Sequence, residues 1–108
     1  MNKLVSSNFS LCFEFPECAC LERAEAFIKL GQLLYEIDQD TRSIFVELRS
    51  STESDLAIKI SKELAPKRIR LFCATTAETD NFVIQFPKYI LDVIGSLESE
   101  VQVSVILI

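Results

Sequence analysis

The stretch Val101-Gln102-Val103-Ser104-Val105-Ile106-Leu107-Ile108 sets Val101, Val103, Val105 and Leu107 on one side and Gln102, Ser104, Ile106 and Ile108 on the other. Period-two alternation of β-branched residues specifies a strand, so the fold must contain a sheet. Ile106 and Ile108 make both sides of the strand's end apolar. That predicts a buried end, covered by a helix of the same chain or by another subunit along an open edge.

The same alternation recurs upstream. Residues 8–15 read as a first strand, with Phe9, Leu11, Phe13 and Phe15 opposite Ser10, Cys12 and Glu14. Pro16 ends it. Residues 43–49 set Ile44, Val46 and Leu48 against Phe45, Glu47 and Arg49. Residues 67–75 set Ile69, Leu71 and Cys73 against Arg68, Arg70 and Phe72, and residues 82–86 alternate Phe82, Ile84 and Phe86 with Val83 and Gln85.

Between these lie helical patterns. Residues 18–37 carry a polar stripe of Glu22, Glu25, Lys29, Gln32 and Glu36 within a broad apolar band of Leu21, Ala24, Phe27, Ile28, Leu30, Leu33, Leu34 and Ile37, which reads as one long amphipathic helix. Gly31 lies inside it as a point of close approach. Residues 38–42 are a turn. Ser51-Thr52-Glu53-Ser54-Asp55 starts a second helix, with Thr52 and Asp55 as a capping pair and Leu56, Ala57, Ile60 and Leu64 as its stripe; Pro66 stops it. Pro87 opens a third, short helix, with Gly95 as its terminator.

The predicted order is β-α-β-α-β-β-α-β over a single domain, residues 1–108. The expected class is α+β (or α/β): a two-layer sandwich with a mixed sheet of about five strands and two to three helices. The layout is similar to that of small ligand-sensing regulatory domains and bacterial immunity-type inhibitors, a likeness of architecture that no residue motif carries.

Composition limits the chemistry. The chain has no histidine, which excludes Ser-His-Asp and Cys-His sites and HExxH zinc sites. Its two glycines, Gly31 and Gly95, cannot build a phosphate-cradling loop. The net charge of -5 argues against general nucleic-acid binding and suits a basic protein partner. No apolar run approaches the length of a membrane span, and the start does not read as a signal peptide, so a cytoplasmic protein is expected. A mean hydropathy of +0.26 is high for a chain that buries its apolar residues alone, which points to a homo-oligomer or a partner interface.

Three candidate groups remain. Cys18 and Cys20 flank the start of the long helix, with Cys12 and Cys73 elsewhere; their spacing fits no zinc site, and small buried residues are the commoner role for such thiols. Asp38, Asp40, Glu47 and Arg49 form a loose acidic-basic set of the kind that holds a divalent ion, in a stretch where turn aspartates and a solvated charge pair are the ordinary use. Arg68 and Arg70 share a strand face with Phe72 as an anion-binding candidate. The expectation is a small non-enzymatic protein-interaction module (adaptor, inhibitor or self-associating subunit) that presents an apolar helix and an acidic surface. Glu22, Glu25, Glu36, Glu98 and Glu100 are its candidate contacts, and no cofactor, metal, nucleic acid or membrane is expected. The alternative is a regulatory domain that binds a small ligand or an anion at Arg68 and Arg70; a thiol redox or metal role ranks below both.

Overall fold

The structure is a computed structural model that describes residues 5–78 and 83–108. It is an α+β sandwich: a mixed five-stranded sheet carries three helices on one face. The elements are β1 (Val5–Glu14), α1 (Cys18–Leu30), β2 (Tyr35–Asp38), β3 (Ser43–Leu48), α2 (Ser51–Leu64), β4 (Arg68–Ala77), α3 (Lys88–Ser96) and β5 (Glu100–Leu107).

The strands stand in the order β2-β3-β1-β4-β5. β1 lies antiparallel to both β3 and β4, and β2 antiparallel to β3, while β5 runs parallel to β4. The first six elements thus interlock two split β-α-β units: β3 fills the gap between β1 and β2, and β1 the gap between β3 and β4. α3 then carries the chain from β4 to β5, because adjacent parallel strands need a crossover.

The alternation sorts the two faces as the sequence predicts. Leu11, Phe13 and Phe15 are fully buried on the helix side, with Ile44, Val46, Leu48 and Leu71 beside them. Each such side chain contributes about 1.5–3 kcal/mol of hydrophobic stabilisation. Leu21, Ala24 and Ile28 of α1, Ala57, Ile60 and Leu64 of α2, and Ile90 and Val93 of α3 close the core.

Three local expectations are corrected. The helix expected over residues 18–37 ends at Leu30, and Tyr35–Asp38 form the short edge strand β2. The stop is a Schellman turn: Leu33 N–H donates to Ile28 O and Gln32 N–H to Lys29 O, with Gln32 left-handed at φ 57°. Residues 83–86 are irregular, and residue 82 of the strand expected there lies outside the described residues. Phe86 instead packs edge-on against Phe9, ring centroids 5.7 Å apart, so this alternating segment lays Ile84 and Phe86, both half-buried, against the core without joining the sheet. The fifth strand therefore comes from Tyr35–Asp38, after α1. Finally, α3 runs through Gly95 and is capped at Leu97.

The largest departure is at β5. Its end was expected to be covered, yet every residue from Glu100 to Ile108 is exposed.

Candidate interaction edge

β5 is held on one side only. Its register with β4 places Val101 beside Leu71, Val103 beside Cys73, Val105 beside Thr75 and Leu107 beside Ala77. Leu71, Cys73, Thr75 and Ala77 are all buried, so the four apolar residues of β5 lie on the helix side of the sheet. The helices do not reach them. α3 packs chiefly against α2, and Val101, Val103, Val105 and Leu107 keep 44%, 45%, 44% and 55% of their surface exposed.

The backbone is equally open. Ile108 N–H donates to Ala77 O at 2.9 Å, which fixes the parity of the strand. Even-numbered residues turn their N–H and C=O groups toward β4, and Val101, Val103, Val105 and Leu107 turn theirs outward. No described strand pairs with that outer side.

Natural sheets protect such edges with short strands, charge, proline or bulges. The opposite edge, β2, follows that rule: it has four residues and carries Glu36 and Asp38. β5 has eight residues, with neither proline nor glycine, and after Glu100 no charge. Glu100 itself is neutralised. Arg68 Nε donates to Glu100 Oε1 at 3.1 Å and Nη2 to Oε2 at 2.7 Å. That pairing holds the Glu100 carboxyl below its ordinary range and raises the Arg68 guanidinium.

The candidate carboxylates do not share one surface. Glu22 is exposed on α1; Glu25 accepts a hydrogen bond from Tyr35 Oη at 2.9 Å. Burial together with that carboxylate raises the Tyr35 phenol. Glu36 sits on β2 at one edge of the sheet, and Glu98 and Glu100 lie before and on β5 at the other.

The two candidate arginines are both engaged. Arg68 is taken by Glu100. Arg70 lies on the helix-free face, its guanidinium carbon 5.4 Å from the Phe72 ring centroid, and Nη2 donates to Cys12 Sγ at 3.8 Å. Lys67, Arg68, Ile69, Glu98, Ser99 and Glu100 line an open depression of about 490 Å³, so an anion there meets two glutamates as well as two cations.

The thiols lie apart. Cys12 and Cys73 are buried on opposite faces of the sheet, Cys18 is exposed, and all four are unbridged. Burial raises the Cys12 thiol against the opposing pull of Arg70, which keeps it protonated and a poor nucleophile. Asp38 Oδ1 accepts from the backbone N–H groups of Asp40 and Thr41, and so serves the β2–β3 turn. Arg49 pairs with Glu53 of α2 rather than with Glu47. Among the described residues no group of three or more thiols or carboxylates is placed to hold a metal ion, and no helix is long and apolar enough to cross a membrane.

No protein-family model, no curated protein and no solved structure matches this chain.

Proposed function

We propose that the chain is a small non-enzymatic protein-interaction module that binds by adding a strand to its sheet at β5. The observation that carries this reading is the unprotected edge: an eight-residue strand in which Val101, Val103, Val105 and Leu107 turn their backbone donors and acceptors outward and leave a half-exposed apolar row. Edge addition takes its affinity from main-chain hydrogen bonds and its specificity from alternate side chains. β5 offers both. The apolar surface that the sequence assigns to the long helix thus falls mainly on a strand, while α1 leaves Leu30, and the turn after it Leu34, as separate exposed residues, which are normal on any surface.

Four unbridged thiols suit a reducing, cytoplasmic setting. The acidic balance keeps the chain dispersed and favours a partner whose charge near the edge is neutral or basic.

The test is Val103→Pro. The Val103 N–H faces outward, so proline there leaves the β4 ladder intact and removes one donor from the open edge. The variant is expected to keep the thermal melt of the dilute protein and to lose association, read by analytical ultracentrifugation for self-association and by gel filtration with any bound protein. Association that survives unchanged would place the interface elsewhere and refute the reading.

A further inference from the structure

Building on the edge-addition reading, we infer that the partner at β5 is a second copy of this chain, paired antiparallel about a two-fold axis that passes beside Ser104. The helix-side row is symmetric about that residue. With Ser104 opposite Ser104 of the second copy, Val103 faces Val105 of the second copy and Val101 faces Leu107 of the second copy, and the reverse pairs repeat them. Every apolar member of the row meets another apolar member, and none is left over.

The backbone parity agrees. Val101, Val103, Val105 and Leu107 point their N–H and C=O groups outward, so these matched pairs are the hydrogen-bonded ones, each exchanging both bonds, and the Ser104 pair is the intervening non-hydrogen-bonded one. Shifting the axis to Val103 keeps the parity but sets Leu107 against Ser99 of the second copy, outside β5, and so leaves three apolar pairs where the Ser104 axis makes four.

Charge allows the meeting. Each copy carries -5 overall, yet the mating strand holds only Glu100, already bound to Arg68. The opposite residue at that position is Ile108 of the second copy, so no acidic side chains face each other across the seam. An axis normal to the sheet keeps both helical layers on one side and joins two five-stranded sheets into one. Such an isologous contact consumes the open edge of both copies and closes at a dimer.

The register is tested by cysteine placement. Ser104 lies exposed on the helix-free face, and a non-hydrogen-bonded antiparallel pair sets its Cα atoms about 4.5 Å apart, inside disulfide range. Ser104→Cys and, separately, Val103→Cys are made with the exposed Cys18 replaced by serine. Both are oxidised with glutathione disulfide at tens of micromolar protein, and the unsubstituted chain is weighed by sedimentation. The expected result is a disulfide-linked dimer for Ser104→Cys, formed at least tenfold faster than for Val103→Cys, and a dimer mass for the unsubstituted chain. Faster linkage of Val103→Cys overturns the register. A monomer mass with no linkage of either variant overturns self-pairing. If that monomer nonetheless forms a complex with another protein that Val103→Pro abolishes, the second copy is refuted and edge addition stands.

Discussion

Glu53 shows how one side chain can fix the junction between a strand and a helix. It is buried at the third position of α2, where its backbone N–H donates to Ser50 Oγ at 3.4 Å. Its carboxylate accepts the Arg49 backbone N–H at 2.7 Å and pairs with the Arg49 guanidinium. The Arg49 hydrogen bonds hold the Glu53 carboxyl below its ordinary value of 4.5. Glu53→Gln is expected to cost about 1.5 kcal/mol at neutral pH, the scale of a cap combined with a charged hydrogen bond. The sign follows from linkage: a depressed native pKa contributes stability that is complete above the unfolded value and is lost as pH falls through the native one. Urea titrations should therefore show the gap between native chain and Gln variant closing below pH 4.5. Ser50-x-x-Glu53 is a capping box written in the sequence; the pair Thr52 and Asp55, two residues further on, competed with it because threonine and aspartate are capping residues too. A second expectation concerns Ala65, which ends α2 in the left-handed region at φ 45°. A side chain there costs about 1–2 kcal/mol and glycine's extra freedom in the unfolded chain offsets part of the relief, so Ala65→Gly should gain about 0.5 kcal/mol in the same titration.

The elements were legible wherever burial had a single period. β1, β3 and β4 alternate cleanly because helices cover only one of their faces. The stretch after Leu30 misleads because its apolar residues, Leu33, Leu34 and Ile37, continue a helical spacing while serving a turn and a strand. The local signal is also displaced: Gly31, the natural left-handed residue, stays right-handed at φ -82°, and Gln32 takes the left-handed place. Gly31 is kept small by a neighbour instead, since a Cβ there would run into Leu56 Cδ2 of α2. β5 was legible as a strand but not as an edge, because its place beside β4 depends on pairing between distant residues that periodicity does not encode. Removing Ile106, Leu107 and Ile108 separates its two roles. It deletes the pairs with Thr76 and Ala77 and the bond from Ile108 to Ala77, all at an exposed margin. The dilute protein should lose about 2–3 kcal/mol, the worth of the roughly three net hydrogen bonds that this margin makes to β4. In the concentrated protein the truncation should abolish association, which sedimentation and thermal melts at two concentrations would show. A larger loss in the dilute protein would mean that β5 holds the fold rather than its assembly.

At the scale of the whole molecule the two sheet edges are unequal, and that inequality decides what an assembly can be. Pairing of β5 with β2 of another copy would be heterologous and would grow without end unless its rotation closed a ring. β2 discourages it by being four residues long with Glu36 and Asp38 along it. Pairing of β5 with itself leaves two protected β2 edges outermost, so growth stops. Salt distinguishes this contact from one driven by charge. Two copies of net charge -5 repel at long range, while the seam itself is apolar and main-chain in character. Raising ionic strength from about 0.01 M to about 0.15 M shortens the screening length from about 30 Å to about 8 Å. Added salt should therefore tighten the dimer severalfold, and the melting temperature of the associated protein should rise with both salt and protein concentration, because a contact made only by the native state stabilises it by mass action. Val103→Pro should leave neither dependence on protein concentration nor any gain in dimer mass with salt. If salt instead dissolves the dimer, opposite charges hold it together. The acidic surface, not the β5 seam, would then be the interface.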